Sequence, residues 1–387
     1  MNAYYTSTKY SGDNAASTAP LGLGTGDGSS VNNITTGLLP NYLSVSGTTR
    51  QNDLDVAFTI SINPGASTVA AGRQSSQQEN RQAFITFGDK SWGSIKLGKD
   101  LGIYAGDAIL NDMTLLGVGA GAGSLAGNTT TLGRIGTGFM YADWKAQAAY
   151  TTPNWNGFQA TVGVTQAWNA LAGTGMGSAT SNDRGGNQPA FEGKASYAWT
   201  GDVAGKVWVS GISQKVRGLS NAVNTVAENA GTVAVDAVQG SPNSIVDAND
   251  RATSVDIGAN VNVAGLGLTG YYYKGDGIGQ TFQLRDGFDV NGKRRESDGY
   301  YVQATYVIPT KTKVGVSFGE SKLDGNRVDA YKDLRDQMWT VGAYHPLTKH
   351  LNLVAEYSKS ERDISNRSIA DAKADAKTVS LGAILFF

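Results

Sequence analysis

Sixteen segments of this chain alternate apolar and polar residues, and the links between them alternate in turn between short and long. The segments span about 2–10, 40–50, 54–62, 81–88, 92–99, 144–152, 157–167, 190–199, 205–214, 252–263, 266–275, 298–308, 311–322, 336–346, 349–360 and 377–387. Period two places successive side chains on opposite faces of a strand. The short links (51–53, 89–91, 153–156, 200–204, 264–265, 309–310 and 347–348) mostly hold Gly, Asn, Asp or Pro, the residues of tight turns. The long links (about 11–39, 63–80, 100–143, 168–189, 215–251, 276–297, 323–335 and 361–376) are rich in Gly, Asn, Ser and Asp. A sandwich mixes its connection lengths at both ends. Short turns at one end and long loops at the other belong to an up-and-down barrel that crosses a membrane. The expected fold is all-β, one transmembrane antiparallel β-barrel of 16 strands over 1–387.

The faces agree from strand to strand. Leu54, Val56, Phe58, Ile60 and Ile62 form one apolar set; Val255, Ile257, Ala259, Val261 and Val263 a second; Leu351, Leu353, Ala355 and Tyr357 a third. Their alternates are mostly polar: Asp55, Thr59 and Ser61; Ser254, Asp256, Asn260 and Asn262; Asn352, Glu356 and Ser358. In a soluble barrel the apolar set would point inward, but sixteen strands enclose an interior too wide for side chains to fill. The polar set therefore lines water and the apolar set faces lipid, and closure satisfies every backbone group inside the membrane. Register is critical, because a slip of one residue exchanges the faces.

Composition narrows the function. With 32 Lys and Arg against 33 Asp and Glu, net charge is −1, which implies no nucleic-acid partner. The chain has no cysteine, so disulfides and thiolate metal sites are ruled out. The uncharged stretches 113–133 and 146–182 are broken by Gly, Thr and Asn, so neither is a spanning helix of about 20 apolar residues. No leader is visible, and Met1 runs straight into a strand pattern, as expected of a mature chain with an initiator methionine.

The final segment is specific in another way. Val379, Leu381, Ala383, Leu385 and Phe387 are apolar at every second position, between Ser380, Gly382, Ile384 and Phe386. A strand of this kind ending on an aromatic resembles the terminal signal of Gram-negative outer-membrane barrels, whose last strand closes the barrel and is read by the barrel assembly machinery. The resemblance assigns that signal to Phe387, Leu385, Ala383 and Leu381. Aromatics also gather near strand ends. Trp92, Trp155, Phe158, Trp199, Tyr306, Tyr344, Phe386 and Phe387 lie near short turns, and Tyr10, Trp168, Tyr272 and Tyr300 lie nearer long loops. Two interfacial belts have this layout.

The longest link, 100–143, carries Ile109, Leu110, Met113 and Leu116 at helical spacing, followed by the glycine-rich run 117–123. Loops of such length are usually functional or disordered, and one this apolar is expected to fold into the lumen with its apolar face on the wall. Three patches then carry a family resemblance: Gly93-Ser94-Ile95-Lys96-Leu97-Gly98-Lys99 before the loop, Tyr150-Thr151-Thr152-Pro153-Asn154-Trp155-Asn156-Gly157-Phe158 after it, and the closing Leu381 to Phe387. The chain resembles the trimeric, sixteen-stranded general porins of the Gram-negative outer membrane. The resemblance implies a homotrimer whose second loop latches onto a neighbouring subunit. It also implies a third loop that constricts the channel, acidic on the loop and basic on the facing wall. On this chain the loop acids are Asp100, Asp107 and Asp112. The wall bases are Arg50 and Lys96, with Lys9, Arg73 and Arg81; for Arg73 and Arg81, in or beside the second long loop, an external position is equally open. Other wall charges are mixed, Lys145, Lys194, Lys206 and Lys313 against Glu192, Asp256 and Glu356. Opposed charges set a transverse field across a narrow aqueous path.

The expected function is passive diffusion of small hydrophilic solutes and ions, without enzymatic activity. The expected partners are outer-membrane lipid, lipopolysaccharide and assembly machinery. The alternatives are a substrate-specific porin for a sugar or small organic acid, with Tyr104, Met113, Leu116, Tyr271 and Tyr273 as a greasy contact, and a recognition or adhesion barrel. The two histidines, His345 and His350, flank one turn and make neither a catalytic triad nor a metal site. No cofactor is expected. Divalent cations at external acidic loops are the one ion suggested, because Asp289-Val290-Asn291-Gly292 with Glu296 faintly resembles a calcium loop while departing from its spacing.

Overall fold

The computed structural model describes residues 1–13, 28–67, 78–123, 130–173, 177–220 and 248–387. Its strands are β1 (Asn2–Gly12), β2 (Ser30–Thr35), β3 (Leu43–Gln51), β4 (Leu54–Pro64), β5 (Gln78–Glu79), β6 (Ala83–Asp89), β7 (Gly93–Leu101), β8 (Trp144–Thr151), β9 (Phe158–Thr165) and β10 (Ala190–Trp199). They continue with β11 (Val203–Leu219), β12 (Ala248–Val263), β13 (Leu266–Asp276), β14 (Glu296–Val307), β15 (Lys313–Asp324), β16 (Tyr331–Pro346), β17 (Leu351–Asn366) and β18 (Ala372–Leu385). One short helix, α1 (Gly106–Asn111), follows β7.

All sixteen expected strands are present, but the described residues form eighteen strands, a correction of two. The additions are β2 and β5. In β2 the apolar Val31 and Ile34 stand three residues apart, so no period-two signal exists. It forms because β1 offers it an edge, Tyr4 to Lys9 pairing with Thr35 to Ser30. Two-residue β5 extends the ladder of β4 at Asn63 and Pro64. Strands β11, β12, β16, β17 and β18 also run further toward the long loops than their apolar alternation does, with charged residues such as Lys359, Glu361 and Asp363 in continued register.

The sheet is up-and-down and antiparallel. From β6 to β18 each strand pairs with its successor, β4 pairs with β3 and β6, and β1 pairs with both β2 and β18. The β1–β18 ladder joins the chain ends, from Asn2 opposite Ile384 to Gly12 opposite Ala374. Residues 36–42 lead from β2 into β3 and turn inward, where the Asn2 side chain donates to Leu39 O at 2.9 Å and accepts from Gly37 N at 2.9 Å.

The expected faces hold. Val255, Ile257 and Leu381 are outward and 62%, 60% and 53% exposed, whereas Ser254, Asp256, Glu356 and Ser380 are buried inside. An apolar exterior around a polar interior is the pattern of a barrel in lipid. An aromatic row crosses five successive strands at Tyr272, Tyr300, Phe318, Trp339 and Tyr357, with Tyr300 and Phe318 rings 6.1 Å apart and Trp339 and Tyr357 rings 5.0 Å apart. At the short-turn end Trp155 stacks on Phe158 and Tyr197 on Trp199. Three residues expected in the belts do not belong there. Tyr10 and Tyr344 share the inward parity of their strands, and Trp168 packs with the interior loops.

At the seam of the chain ends, a Cβ on Gly382 would lie 2.4 Å from the Tyr4 ring and from Ala3 O. Gly382→Leu is therefore expected to destabilise the barrel by about 1–3 kcal/mol, read as a lower temperature for loss of the compact, heat-modifiable band on gels.

Candidate channel constriction

The β7–β8 connection enters the interior, as expected. Its helical stretch is broken at Asp112 into α1 and a 3₁₀ turn, Met113–Leu116, because the Asp112 side chain accepts from Thr114 N at 3.1 Å and so caps the second piece instead of continuing the first. Ile109 and Met113 are buried against the wall, and Leu110 is 56% exposed.

Two wall carboxylates hold this loop, one near each end. Glu192 on β10 accepts backbone N–H bonds from Ile103 at 2.8 Å and Tyr104 at 2.9 Å on one oxygen. Its other oxygen takes Lys145 Nζ at 2.6 Å and Thr165 Oγ1 at 2.8 Å. Glu356 on β17 accepts from Val118 N at 2.7 Å and Gly119 N at 2.9 Å, and from the Tyr344 hydroxyl at 2.5 Å. Successive N–H groups converging on one carboxylate form an anion-binding concavity. This accounts for the start of the glycine run. A Cβ at Gly117 would lie 2.0 Å from Glu356, and Gly119 has φ +58°. Between the ends, Tyr104 bonds Ser254 at 2.7 Å, Tyr301 donates to Ala108 O at 2.9 Å, and Gln303 bridges Asn111 O and Met113 N.

The loop acids and their cations are distributed differently from the expectation. Asp107 on α1 meets Lys194 of β10 at 3.0 Å and Lys206 of β11. Burial opposes ionisation of Asp107, and the two ammonium groups outweigh it, holding its carboxyl below the usual carboxylate range. Asp112 is fully buried 3.6 Å from Arg134, a loop residue that donates to Met338 O at 2.9 Å on the wall. Asp100 belongs to β7, not to the loop, and pairs with Lys96 on the same inward face of that strand. The loop thus starts after Leu101.

The predicted wall bases fare unevenly. Lys96 is inward and stands 4.8 Å from the Phe84 ring. Arg81 is buried against Glu79 at 2.7 Å and over the Trp144 ring at 5.6 Å. Arg50 has inward parity but sits at the short-turn rim, paired with Asp55 at 2.8 Å and Asp89 at 2.9 Å, beside a polar recess of about 860 Å³ lined also by Thr48, Thr86 and Gln159. Lys9 is on the outward face, opposite in parity to buried Tyr4, Thr6 and Thr8, so it cannot face the loop. Arg73 lies outside the described residues. In place of Arg50 and Lys9, the cations that meet the loop are Lys194 and Lys206. Their signal was parity with Glu192 and against Phe191 and Val207, visible once the outward faces are fixed. Tyr104, Tyr271 and Tyr273 are 0–4% exposed and engaged in packing, not open to a solute.

A second loop also turns inward, with nothing in its residue pattern to mark it. Residues 277–295 lie on the long-loop side of the first and bind it: Tyr141 N donates to Thr281 O at 3.0 Å, and Gln283 joins Lys145 Nζ at 2.6 Å to Tyr141 O at 3.0 Å. Buried Arg295 fastens this loop through a bidentate pair with Asp329 at 2.6 and 2.9 Å and through Ser178 Oγ and the carbonyls of Gly177 and Asp286. Asp289, the start of the suggested calcium loop, accepts from Asn291 N, Lys293 N and the Asn326 amide, and Glu296 pairs with Lys274 at 3.5 Å. Among the described residues no group of three or more carboxylates or histidines is placed to hold a metal.

A polar-lined barrel narrowed by a clamped inward loop defines a membrane channel. A sequence model of the Gram-negative porins matches residues 5–365, and the chain belongs to that family. It is an outer-membrane channel for passive diffusion, not an enzyme. Solved structures with the same fold include an anion-selective porin from Comamonas acidovorans (TM-score 0.60, 13% identity, covering 100% of this chain and 99% of that one). The outer membrane channel DcaP of Acinetobacter baumannii is similar too (TM-score 0.62, 12% identity, 98% and 95% covered). So is the trimer form of OmpT from Vibrio cholerae (TM-score 0.54, 12% identity, 98% of each chain covered). No curated protein sequence matches the chain.

Glu192→Ala strands Lys145 in the interior and is expected to cost about 3–5 kcal/mol, measured by thermal unfolding, with raised open-channel noise as Ile103 and Tyr104 lose their acceptor. Arg295→Met leaves Asp329 unpaired and should destabilise by a similar amount. Freed from its fastening, the inward loop 277–295 should also give a larger single-channel conductance in planar bilayers.

Proposed function

We propose that this porin forms a homotrimer of diffusion channels that favour small hydrophilic anions. One observation carries the preference: where Asp107 of the inserted loop meets the wall, the cations face water and the carboxylate does not. The Lys194 and Lys206 side chains are 28% and 31% exposed, and Asp107 between them is 5% exposed. Lys96 repeats the arrangement at 32% against 10% for Asp100. Two ammonium groups around one carboxylate leave a net positive site, and charge lining a pore selects the ion of opposite sign. The anion-selective porin from Comamonas acidovorans and the trimer form of OmpT support the two halves of this reading by analogy of fold. Outer-membrane lipid, lipopolysaccharide and assembly machinery complete the proposed partners, with the closing segment Leu381, Ala383, Leu385 and Phe387 as the assembly signal. No cofactor is proposed.

Reversal potential under a salt gradient, with the trimer in a planar bilayer, tests this. The expected sign is that of anion preference, with closures in steps of three. Lys194→Gln with Lys206→Gln should move the permeability ratio toward the cation. A cation-selective native channel, or a double variant with unchanged ratio, would overturn the assignment of these lysines.

A further inference from the structure

The inserted loop turns one exposed side chain toward the water path, and that side chain is apolar. Among the described residues from 102 to 142 only Leu110 is exposed, at 56%. The other large aliphatic side chains of the loop are packed away. Ile103, Ile109, Met113, Leu132 and Ile135 are buried, and Leu115 and Leu116 are partly buried against the two interior clusters. An exposed leucine removes little apolar surface from water, so packing does not call for one here.

Leu110 is nonetheless held in place. The residues around it are fixed to β14, where Tyr301 donates to Ala108 O at 2.9 Å and Gln303 Nε2 donates to Asn111 O at 2.8 Å. The Asn111 amide closes the turn by donating to Asp107 O at 2.8 Å. Residues three apart on a helix are neighbours on one face. Leu110 therefore stands beside Asp107, whose carboxylate meets Lys194 at 3.0 Å and Lys206. An apolar side chain thus adjoins two half-exposed ammonium groups that share one carboxylate. The wall of β6 and β7 repeats the pairing. Phe84 is half-buried with inward parity, opposite Thr59, and Lys96 Nζ stands 4.8 Å from its ring centroid.

We propose that Leu110, Lys194 and Lys206 form a subsite for organic monoanions that carry an apolar body. The carboxylate of the solute lies at the two ammonium groups and its hydrocarbon lies on Leu110. Sites for small molecules combine an apolar wall with a few placed charges in this way. A hydrated inorganic ion gains nothing from the leucine, whereas a hydrocarbon body loses water against it. The single net positive charge of the cluster matches a monoanion. The assignment rests on the anion-preferring reading above, and deepens it by naming a class of solute.

Cyclohexanecarboxylate and quinate share a ring and a carboxylate and differ in the hydroxyl groups of quinate. Each is added to the protein in a planar bilayer in KCl, and its half-blocking concentration is read from the fall in current. The native channel is expected to be half-blocked by cyclohexanecarboxylate at a concentration about tenfold below that for quinate. Leu110→Ser should bring the two values together by raising the one for cyclohexanecarboxylate, and Leu110→Met should keep the native ratio. Because Leu110 is exposed, the serine variant loses no buried contact, and heat-modifiable gel mobility checks that it is folded. Equal half-blocking concentrations in the native channel would overturn the subsite. So would an unchanged ratio in Leu110→Ser, including the case in which a displaced loop weakens block by both acids alike. The reversal potential in a KCl gradient keeps the two readings apart. Anion preference without discrimination between the acids sinks only the subsite, whereas cation preference in the native channel sinks the assignment of the lysines and the subsite with it.

Discussion

Hydrocarbon offers no hydrogen-bond partner, and the rest of this structure follows from that constraint. Each backbone group in the wall must be paired by a neighbouring strand, so the sheet cannot end inside the membrane. The requirement explains why β2 forms against β1 despite a sequence with little strand character, and why β1 and β18 meet along eleven paired positions from Asn2 to Gly12. It also explains why the polar alternates point inward. With lipid outside, the interior is where Asp256 finds Ser210 and Tyr271 on the wall, and where Glu192 and Glu356 find backbone N–H groups of an inserted loop.

The constriction is thereby built from buried polar interactions more than from apolar packing. Glu192 and Glu356 are wall residues doing a loop's work: each gathers two consecutive backbone N–H groups and a side-chain donor. A buried carboxylate costs several kcal/mol in desolvation unless its lone pairs are satisfied, and here both oxygens of each are satisfied. The second loop, 277–295, shares Lys145 with this network through Gln283, so the two inserted segments are held by one connected set of bonds.

Much of this was legible in the sequence. Period two survives wherever one face meets lipid, so the sixteen lipid-crossing strands, their outward sets and the inserted third loop can be read without coordinates. The losses have specific causes. Val31 and Ile34 break the alternation of β2, which forms from its neighbour's edge. The family resemblance implies a lumenal Lys9, but parity with Tyr5 and against Tyr4 sends it outward. Arg50 has the right parity and the wrong height: it stands one residue before the 51–53 turn, at the short-turn rim, whereas the inserted loop leaves from the other end of the strands. Loop 277–295 carries the Gly, Asn and Asp of an ordinary external loop. Its inward course depends on Arg295 finding Asp329, 34 residues away.

The seam between β1 and β18 has a consequence for how the barrel is made. Nearly all other ladders join neighbours in the chain, so their closure spans a short turn or one loop and never the whole chain. The seam joins residue 2 to residue 384. Contacts of such sequence separation form slowly, since the chain must be ordered over its whole length before they return any stability. Until then two strand edges stand open, each a template for the wrong partner. The molecule is thus most vulnerable to aggregation when it is almost finished, and the interval before its two ends meet is the one in which a cellular escort is worth most.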